Sequence, residues 1–116
     1  MSLSNYYREE RPWGSFERFT ENEISTVKFL HVEGGKRFSL QRHKHRSEFW
    51  RVIKGSGTIT VGEETRPFND GDSTIVPAGT LHRLEAGPMG MTVLEIISGE
   101  YDENDIERVE DDFGRV

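Results

Sequence analysis

The sequence contains no cysteine among its 116 residues, and this absence limits the chemistry of the chain. Disulfide bonds and thiolate metal ligands are both excluded, so any metal ion must be held by nitrogen and oxygen donors. A run of about 18 apolar residues is also missing, as is a signal-like N-terminus. We therefore expect a cytoplasmic protein without membrane contact.

Basic residues are in deficit, with 15 Lys and Arg against 21 Asp and Glu and a formal charge of -6. A nucleic-acid-binding domain would carry a basic stripe, so we expect no nucleic-acid partner. The one basic cluster spans residues 42–46, and local positive charge in an acidic protein suits a small anionic ligand.

Neither common glycine-rich phosphate loop is present, so the sequence predicts no nucleotide site. A chain of 116 residues is long enough for one hydrophobic core and too short for two. We therefore divide it into an N-terminal arm, residues 1–10, and a single domain, residues 11–116.

Long helical periodicity is missing too, although a weak 3.6-residue pattern over residues 102–110 allows a short helix. Apolar residues instead form short β-branched or aromatic runs separated by Gly, Pro and Asp turns. This pattern predicts an all-β jelly-roll β-barrel. The predicted strands span residues 25–32, 38–43, 48–54, 57–61, 64–68, 73–76, 82–85 and 91–97.

Two spaced motifs lie in the middle of the chain: Gly35-x5-Gln41-x-His43-x4-Glu48-x6-Gly55 and Gly71-x5-Pro77-x-Gly79-x2-His82. Gln41 and His43 are two residues apart, so on a strand they project from the same face. Glu48 and His82, arriving from other strands, could close around the same ion. We therefore predict that these four residues are the ligands of one metal site.

His45 is a rival ligand, because it lies two residues beyond His43 and would share its face if the strand register slipped. That choice would break the spacing of the first motif. We therefore place His45 beside the ligands, in proton transfer, with a plain surface position as the alternative.

The two motifs resemble those of the cupin superfamily, in which most members have a histidine where Gln41 stands. A Gln-x-His pair followed by Glu and a distant His is similar to the zinc ligands of phosphomannose isomerases. Five stretches in order resemble the C-terminal domain of type II mannose-6-phosphate isomerases: residues 11–14, 39–50, 77–85, 98–101 and 105–115. The resemblance implies a single-domain cupin jelly-roll β-barrel.

This resemblance also implies a metal-dependent isomerase that interconverts mannose 6-phosphate and fructose 6-phosphate. Zinc is the first choice of metal, although two His, one Gln and one Glu would also accept Mn, Co, Ni or Fe. The family domain usually forms the tail of a fusion with mannose-1-phosphate guanylyltransferase, and we expect no guanylyltransferase unit here. A metal- or sugar-binding module without turnover and another metallo-cupin enzyme, such as an oxygenase, are the alternatives.

In the family, an arginine of the His-x-His-Arg-x-Glu stretch is important for activity, and the matching residue is Arg46. It would stabilise the enediolate or grip the substrate phosphate. His45 is the predicted base, with Glu95 in reserve. Four other cations are available for phosphate: Lys36, Arg37, Lys44 and Arg83.

Two positions depart from the family pattern. Ala86 replaces the usual terminal Asn of the second motif, and Phe49 stands where the family commonly has a histidine that could transfer protons. We also predict a homodimer, because exposed strand edges favour pairing, with residues 5–16 and Trp13 at the contact.

Overall fold

A computed structural model describes residues 3–116, and the regular secondary structure of this part consists of strands alone. Residues 1 and 2 of the predicted N-terminal arm lie outside the described residues. Across residues 3–116 there is also no helix of the length and apolar character needed to cross a membrane. The nine strands are β1 Tyr7–Arg11, β2 Gly14–Arg18, β3 Ser25–Val32, β4 Leu40–Arg42, β5 Glu48–Val61, β6 Glu64–Asn69, β7 Ser73–Val76, β8 His82–Ser98 and β9 Glu107–Glu110.

Seven strands form one antiparallel sheet, in which β6, β5, β8, β4 and β9 are neighbours in that order. Strand β3 adds to β8, and β7 adds to β5. Strands β1 and β2 form a separate hairpin. Within the described residues, the hydrogen-bonded sheet does not close into a continuous ring. The all-β prediction is confirmed.

Two pairs of predicted strands are single long strands in the structure. The segments 48–54 and 57–61 merge in β5, and 82–85 and 91–97 merge in β8. At Gly55 the register shifts while pairing with β8 continues on both sides, so the chain bends without ending the strand. Gly55 has φ +100°, and an added Cβ would lie 2.4 Å from the carbonyl oxygen of Gly90, so a larger residue would not fit.

The short helix that the weak pattern over residues 102–110 allows does not form. Residues 102–106 form tight turns, in which the amide of Asp105 donates to the carbonyl of Asp102. Residues 107–110 then add to the edge of β4 as strand β9. An open strand edge offers unpaired backbone groups, and this pairing satisfies them better than an isolated turn of helix would.

The hydrophobic core lies inside the folded sheet. It includes Trp50, Val52, Ile59, Phe68 and Leu84, all at most 1% exposed. Polar residues lie at one end of this core. There the Trp50 ring meets the His82 ring edge-on, with centroids 5.5 Å apart. The core therefore forms one wall of the polar site.

Candidate metal centre

Three of the four predicted ligands come together at the end of the core. His43 directly follows β4, while Glu48 and His82 are the first residues of β5 and β8. Candidate ligand atoms of the three residues all lie within 4.8 Å of one another. The residues are 3%, 1% and 0% exposed, respectively. This metal-ligand cluster of His43, Glu48 and His82 is thus buried and convergent.

Backbone carbonyls select the tautomer of both histidines. Nδ1 of His43 lies 2.6 Å from the carbonyl oxygen of Asp105, and Nδ1 of His82 lies 3.0 Å from that of Thr80. A carbonyl oxygen only accepts, so each Nδ1 carries the proton and donates. Each Nε2 therefore carries a lone pair instead of a proton, and both lie 3.6 Å from an oxygen of Glu48. This is the arrangement in which protein histidines bind metals.

Burial shifts the pKa values of the two histidines and of Glu48 in opposite directions. Loss of water lowers the pKa of His43, and it lowers that of His82 to about 4, so both rings are neutral near pH 7. Burial, reinforced by the nearby charge of Glu95, raises the pKa of Glu48 to about 8 against the opposing pull of Arg46. A positive charge at the centre of the cluster would favour the carboxylate of Glu48.

Two atoms of the cluster have no hydrogen-bond partner among residues 3–116. They are Nε2 of His82 and Oε1 of Glu48, both buried. Such groups cost free energy unless they are satisfied by a ligand, a water molecule or an ion. The donor set fits a divalent cation, with two neutral imidazole nitrogens and one carboxylate.

Arg46 supplies the positive charge next to Glu48. Its Nε donates to Oε2 of Glu48 at 2.9 Å, and its Nη2 lies 3.3 Å from Nε2 of His43. The guanidinium group also lies over the ring of Tyr101, 4.9 Å from the centroid. The side chain is only 9% exposed, so this predicted catalytic residue is an integral part of the site.

Gln41 pairs with His82 across β4 and β8, and its side chain is half-buried. Its Oε1 accepts a hydrogen bond of 2.6 Å from the buried hydroxyl of Ser39. An amide oxygen has a second lone pair, so this contact orients the group without blocking it. The role of Gln41 as a ligand stays a prediction.

A cavity of about 500 Å³ opens beside the cluster. Gln41, His43 and Arg46 line it together with Glu95, whose Oε2 accepts a hydrogen bond of 2.9 Å from the Trp50 indole. Glu95 is 5% exposed. The volume is sufficient for a small polar metabolite.

His45 lies differently. His45 is exposed, and its backbone amide donates a hydrogen bond of 2.9 Å to the carboxylate of Asp105. It belongs neither to the metal-ligand cluster nor to the lining of the cavity. The structure therefore favours the register in which His43, rather than His45, reaches the centre.

Sequence reasoning missed the contribution of the C-terminal segment, for which no chemistry is predicted. The carbonyl of Asp105 orients His43, and its carboxylate accepts from the amides of Lys44 and His45. Tyr101 stacks on Arg46 and accepts a hydrogen bond of 2.6 Å from Lys28. The family resemblance covers Tyr101 and Asp105 but does not show what they contact, because their partners are about 60 positions away in sequence.

Three of the four cationic side chains that could bind phosphate are paired with acidic residues outside the cavity. Lys36 pairs with Glu33, Arg37 forms two hydrogen bonds with Asp112, and Arg83 contacts Glu110. The fourth, Lys44, lines a separate depression of about 460 Å³ on another side of the C-terminal segment. None of the four lines the cavity beside the cluster.

The two departures from the family pattern lie away from the cavity. Phe49 alternates with Glu48 and Trp50, so it faces the other side of the sheet, where its ring packs 5.6 Å from that of Phe19. Ala86 is buried in the hydrophobic core. A histidine at position 49 of this fold would not face the cluster.

An antiparallel sheet folded around a core, with a buried His-Glu-His group at one end, defines a cupin. Solved structures agree on the fold. A cupin 2 domain-containing protein from Halorhodospira halophila matches with a TM-score of 0.67 at 19% identity, covering 77% of this chain and 60% of that one. A double-stranded β-helix protein from Klebsiella pneumoniae matches with a TM-score of 0.64 at 22% identity, covering 78% and 79%.

Within this class, the chain belongs to the mannose-6-phosphate isomerase C-terminal family, whose model matches residues 2–111. The alginate biosynthesis protein AlgA of Pseudomonas aeruginosa is 38% identical over 97% of this chain and 24% of its own length. The mannose-1-phosphate guanylyltransferase ManC of Salmonella typhimurium is 36% identical over 91% of this chain and 22% of its own length. The chain thus spans about a quarter of the relatives it matches.

Proposed function

We propose that the protein is a metal-dependent aldose–ketose isomerase that interconverts mannose 6-phosphate and fructose 6-phosphate. One observation carries the proposal: the buried metal-ligand cluster lies beside a cavity of about 500 Å³ in a chain of the isomerase family. The relative named for a guanylyltransferase acts on mannose 1-phosphate, which supports a sugar phosphate as the ligand.

His43, Glu48 and His82, with Gln41 as the fourth predicted ligand, would hold one divalent cation, with zinc as the first choice. The cation would supply Lewis-acid polarisation of the sugar carbonyl, which makes the neighbouring C–H bond more acidic. The nitrogen of His43 that now faces Arg46 would then face the cation. Nε of Arg46 would remain hydrogen-bonded to Glu48, and Nη2 of Arg46 would become available to the substrate.

Isomerisation of the open-chain sugar requires a base that moves the proton of C2 to C1, while the proton of the C2 hydroxyl passes to the oxygen on C1. His45 is the base predicted from sequence, and the geometry favours Glu95, because its carboxylate is buried in the cavity wall whereas His45 is exposed. Glu95→Gln should abolish turnover if Glu95 is the base. His45→Ala should do so if the role belongs to His45.

Arg46 is suited to stabilise the negative charge of the enediolate. The guanidinium group is held in place by Glu48 and Tyr101, so little rotamer entropy is lost when charge develops on the substrate. Preorganised cations of this kind act on the transition state more than on the ground state.

We also propose that two chains form a homodimer through residues 5–16. Trp13 lies in the turn of the β1–β2 hairpin and is 72% exposed. An exposed indole at the tip of a hairpin is a suitable anchor for a partner surface.

The test of the isomerase proposal is turnover of mannose 6-phosphate in a coupled assay, before and after treatment with a chelator. We expect activity that is lost with the metal and restored by zinc. Binding of the sugar phosphate without turnover would point to a binding module, and oxygen consumption in the presence of iron would point to an oxygenase. Either result would contradict the proposal.

A further inference from the structure

A β-bulge in β9 turns one arginine towards the metal-ligand cluster. Leu40 of β4 pairs with Glu110, but the next residue, Gln41, pairs with Arg108, so Val109 is the extra residue. A shift of one residue moves every following side chain to the opposite face of the sheet. In a regular ladder Arg108 would oppose Arg42 on the outer face.

The bulge therefore changes the neighbours of both arginines. Arg42 is exposed and forms a salt bridge with Glu107, its new partner across the strands. Arg108 shares the face of Gln41, whose other cross-strand neighbour is His82. Residues paired in this way have adjacent side chains on one face. Arg108 accordingly lines the cavity together with Gln41 and His43.

Arg108 is also the cation of the cavity that lacks a carboxylate partner in the part of the chain that the structure describes. Lys28 lies 4.0 Å from Glu95, Arg46 binds Glu48, and Arg115 binds Asp111. Among residues 3–116 Arg108 forms no salt bridge, and its buried Nε has no hydrogen-bond partner there.

Glu103, the remaining acidic group of the cavity lining, is exposed to water. Solvent screening weakens its attraction for the guanidinium group of Arg108. The guanidinium group of Arg108, which has several N–H donors in one plane, is therefore available to a dianionic group with several acceptor oxygens.

We propose that Arg108 binds the phosphate of the sugar substrate, which deepens the proposed isomerase function and rests on it. Adjacent strands are about 4.8 Å apart, so the backbones of Arg108 and His82, two strands apart, are separated by roughly 10 Å. Six bonds of about 1.5 Å join C2 of an open-chain hexose 6-phosphate to its phosphorus, an extended length of roughly 7–8 Å. One substrate molecule thus spans from the cluster to the Arg108 side chain.

The experiment compares binding of mannose 6-phosphate, mannose and inorganic phosphate to the full chain by calorimetry after incubation with zinc. Arg108→Gln should weaken binding of mannose 6-phosphate by roughly 10- to 100-fold, the loss of a charge-assisted contact, and leave mannose unaffected. Arg108→Lys keeps the charge but not the planar set of guanidinium donors, so the loss of affinity for mannose 6-phosphate should be smaller. Arg42→Gln removes the same charge from the strand between those of Arg108 and His82, but on the outer face, and should bind like the wild type.

An unchanged Kd for mannose 6-phosphate in Arg108→Gln would overturn the inference, as would an equal loss in Arg42→Gln. Failure of the wild type to bind either phosphate compound would also overturn it. Thermal melting and metal content of each variant show whether folding is intact, and Arg108→Lys provides a second variant if Arg108→Gln unfolds. If binding depends on Arg108 but the wild type does not isomerise the sugar, the isomerase proposal fails and the anion site stands.

Discussion

His43 and His82 become suitable metal ligands through one hydrogen bond each. A carbonyl oxygen at Nδ1 commits the proton to that nitrogen and leaves the lone pair on Nε2, towards Glu48. Exposed histidines have no such constraint. His31, for example, lies in β3 with Thr92 as its contact.

We expect replacement of His82 by Ala to lower metal content from about one ion per chain to well below half of that, because a neutral imidazole is a strong ligand. Elemental analysis of the dialysed protein measures this. His31→Ala is the matched control and should retain its metal. Full metal content in the His82 variant would refute the assignment of this residue.

At Arg46, kinetics can separate two roles. If the guanidinium group acts on the charge that appears only during enolisation, Arg46→Ala should lower kcat by about 10²–10³-fold with little change in KM. If it grips the phosphate throughout, KM should rise while kcat holds. Both constants are measured with mannose 6-phosphate, and Arg66→Ala, in β6 and outside both the cluster and the cavity lining, is the control.

At the scale of elements, the C-terminal segment holds the metal-ligand cluster in place from outside the main strands. Asp105 is clamped by two backbone amides, which stabilise its carboxylate and lower its pKa. The same residue presents its carbonyl to His43. Strand β9 then follows along the edge of β4, so the turn and the strand together build one side of the cavity.

Removing the Asp105 carboxylate, which accepts hydrogen bonds from the amides of Lys44 and His45, should make the orientation of His43 less fixed. We expect Asp105→Ala to weaken metal affinity by up to about tenfold, at the low end of the effects seen when groups behind a ligand are lost. Competition with a chromophoric chelator measures the affinity. Asp102→Ala, which removes a carboxylate that contacts the amide of Asn104 in the same segment, should have no such effect. Equal affinities for wild type and Asp105→Ala would show that the carbonyl alone suffices.

At the scale of the whole molecule, apolar side chains remain exposed outside the cavity. Within the described residues strand β3 pairs only with β8, and its residues Val27 and Phe29 are 59% and 60% exposed. Trp13 adds an exposed indole at the tip of the hairpin. Apolar surface together with an open strand edge favours association with a second copy.

Light scattering at micromolar concentration should therefore give twice the mass of one chain. Trp13→Ser should shift the protein towards the monomer, because it removes the proposed anchor of the contact. Met89→Ser is the matched control, since Met89 is 94% exposed and lies in β8, outside residues 5–16. A wild-type monomer would rule out the proposed dimer.

Local pattern in the sequence determined several strands and the composition of the cluster. Strands β3 and β7 have the predicted bounds, because period-two alternation and flanking turns are signals within a few residues. The motif spacing likewise brought out His43, Glu48 and His82, which the fold places together.

Tertiary structure alone decided which side chains surround the cluster. Two long strands replaced four short ones, because cross-strand pairing continues through Gly55. The pairing of β9 with β4 made a strand of residues whose weak pattern also allows a helix, and a single extra residue at Val109 directed Arg108 inward. These outcomes depend on which distant strands pair and in which register, and the local pattern of residues does not contain that information.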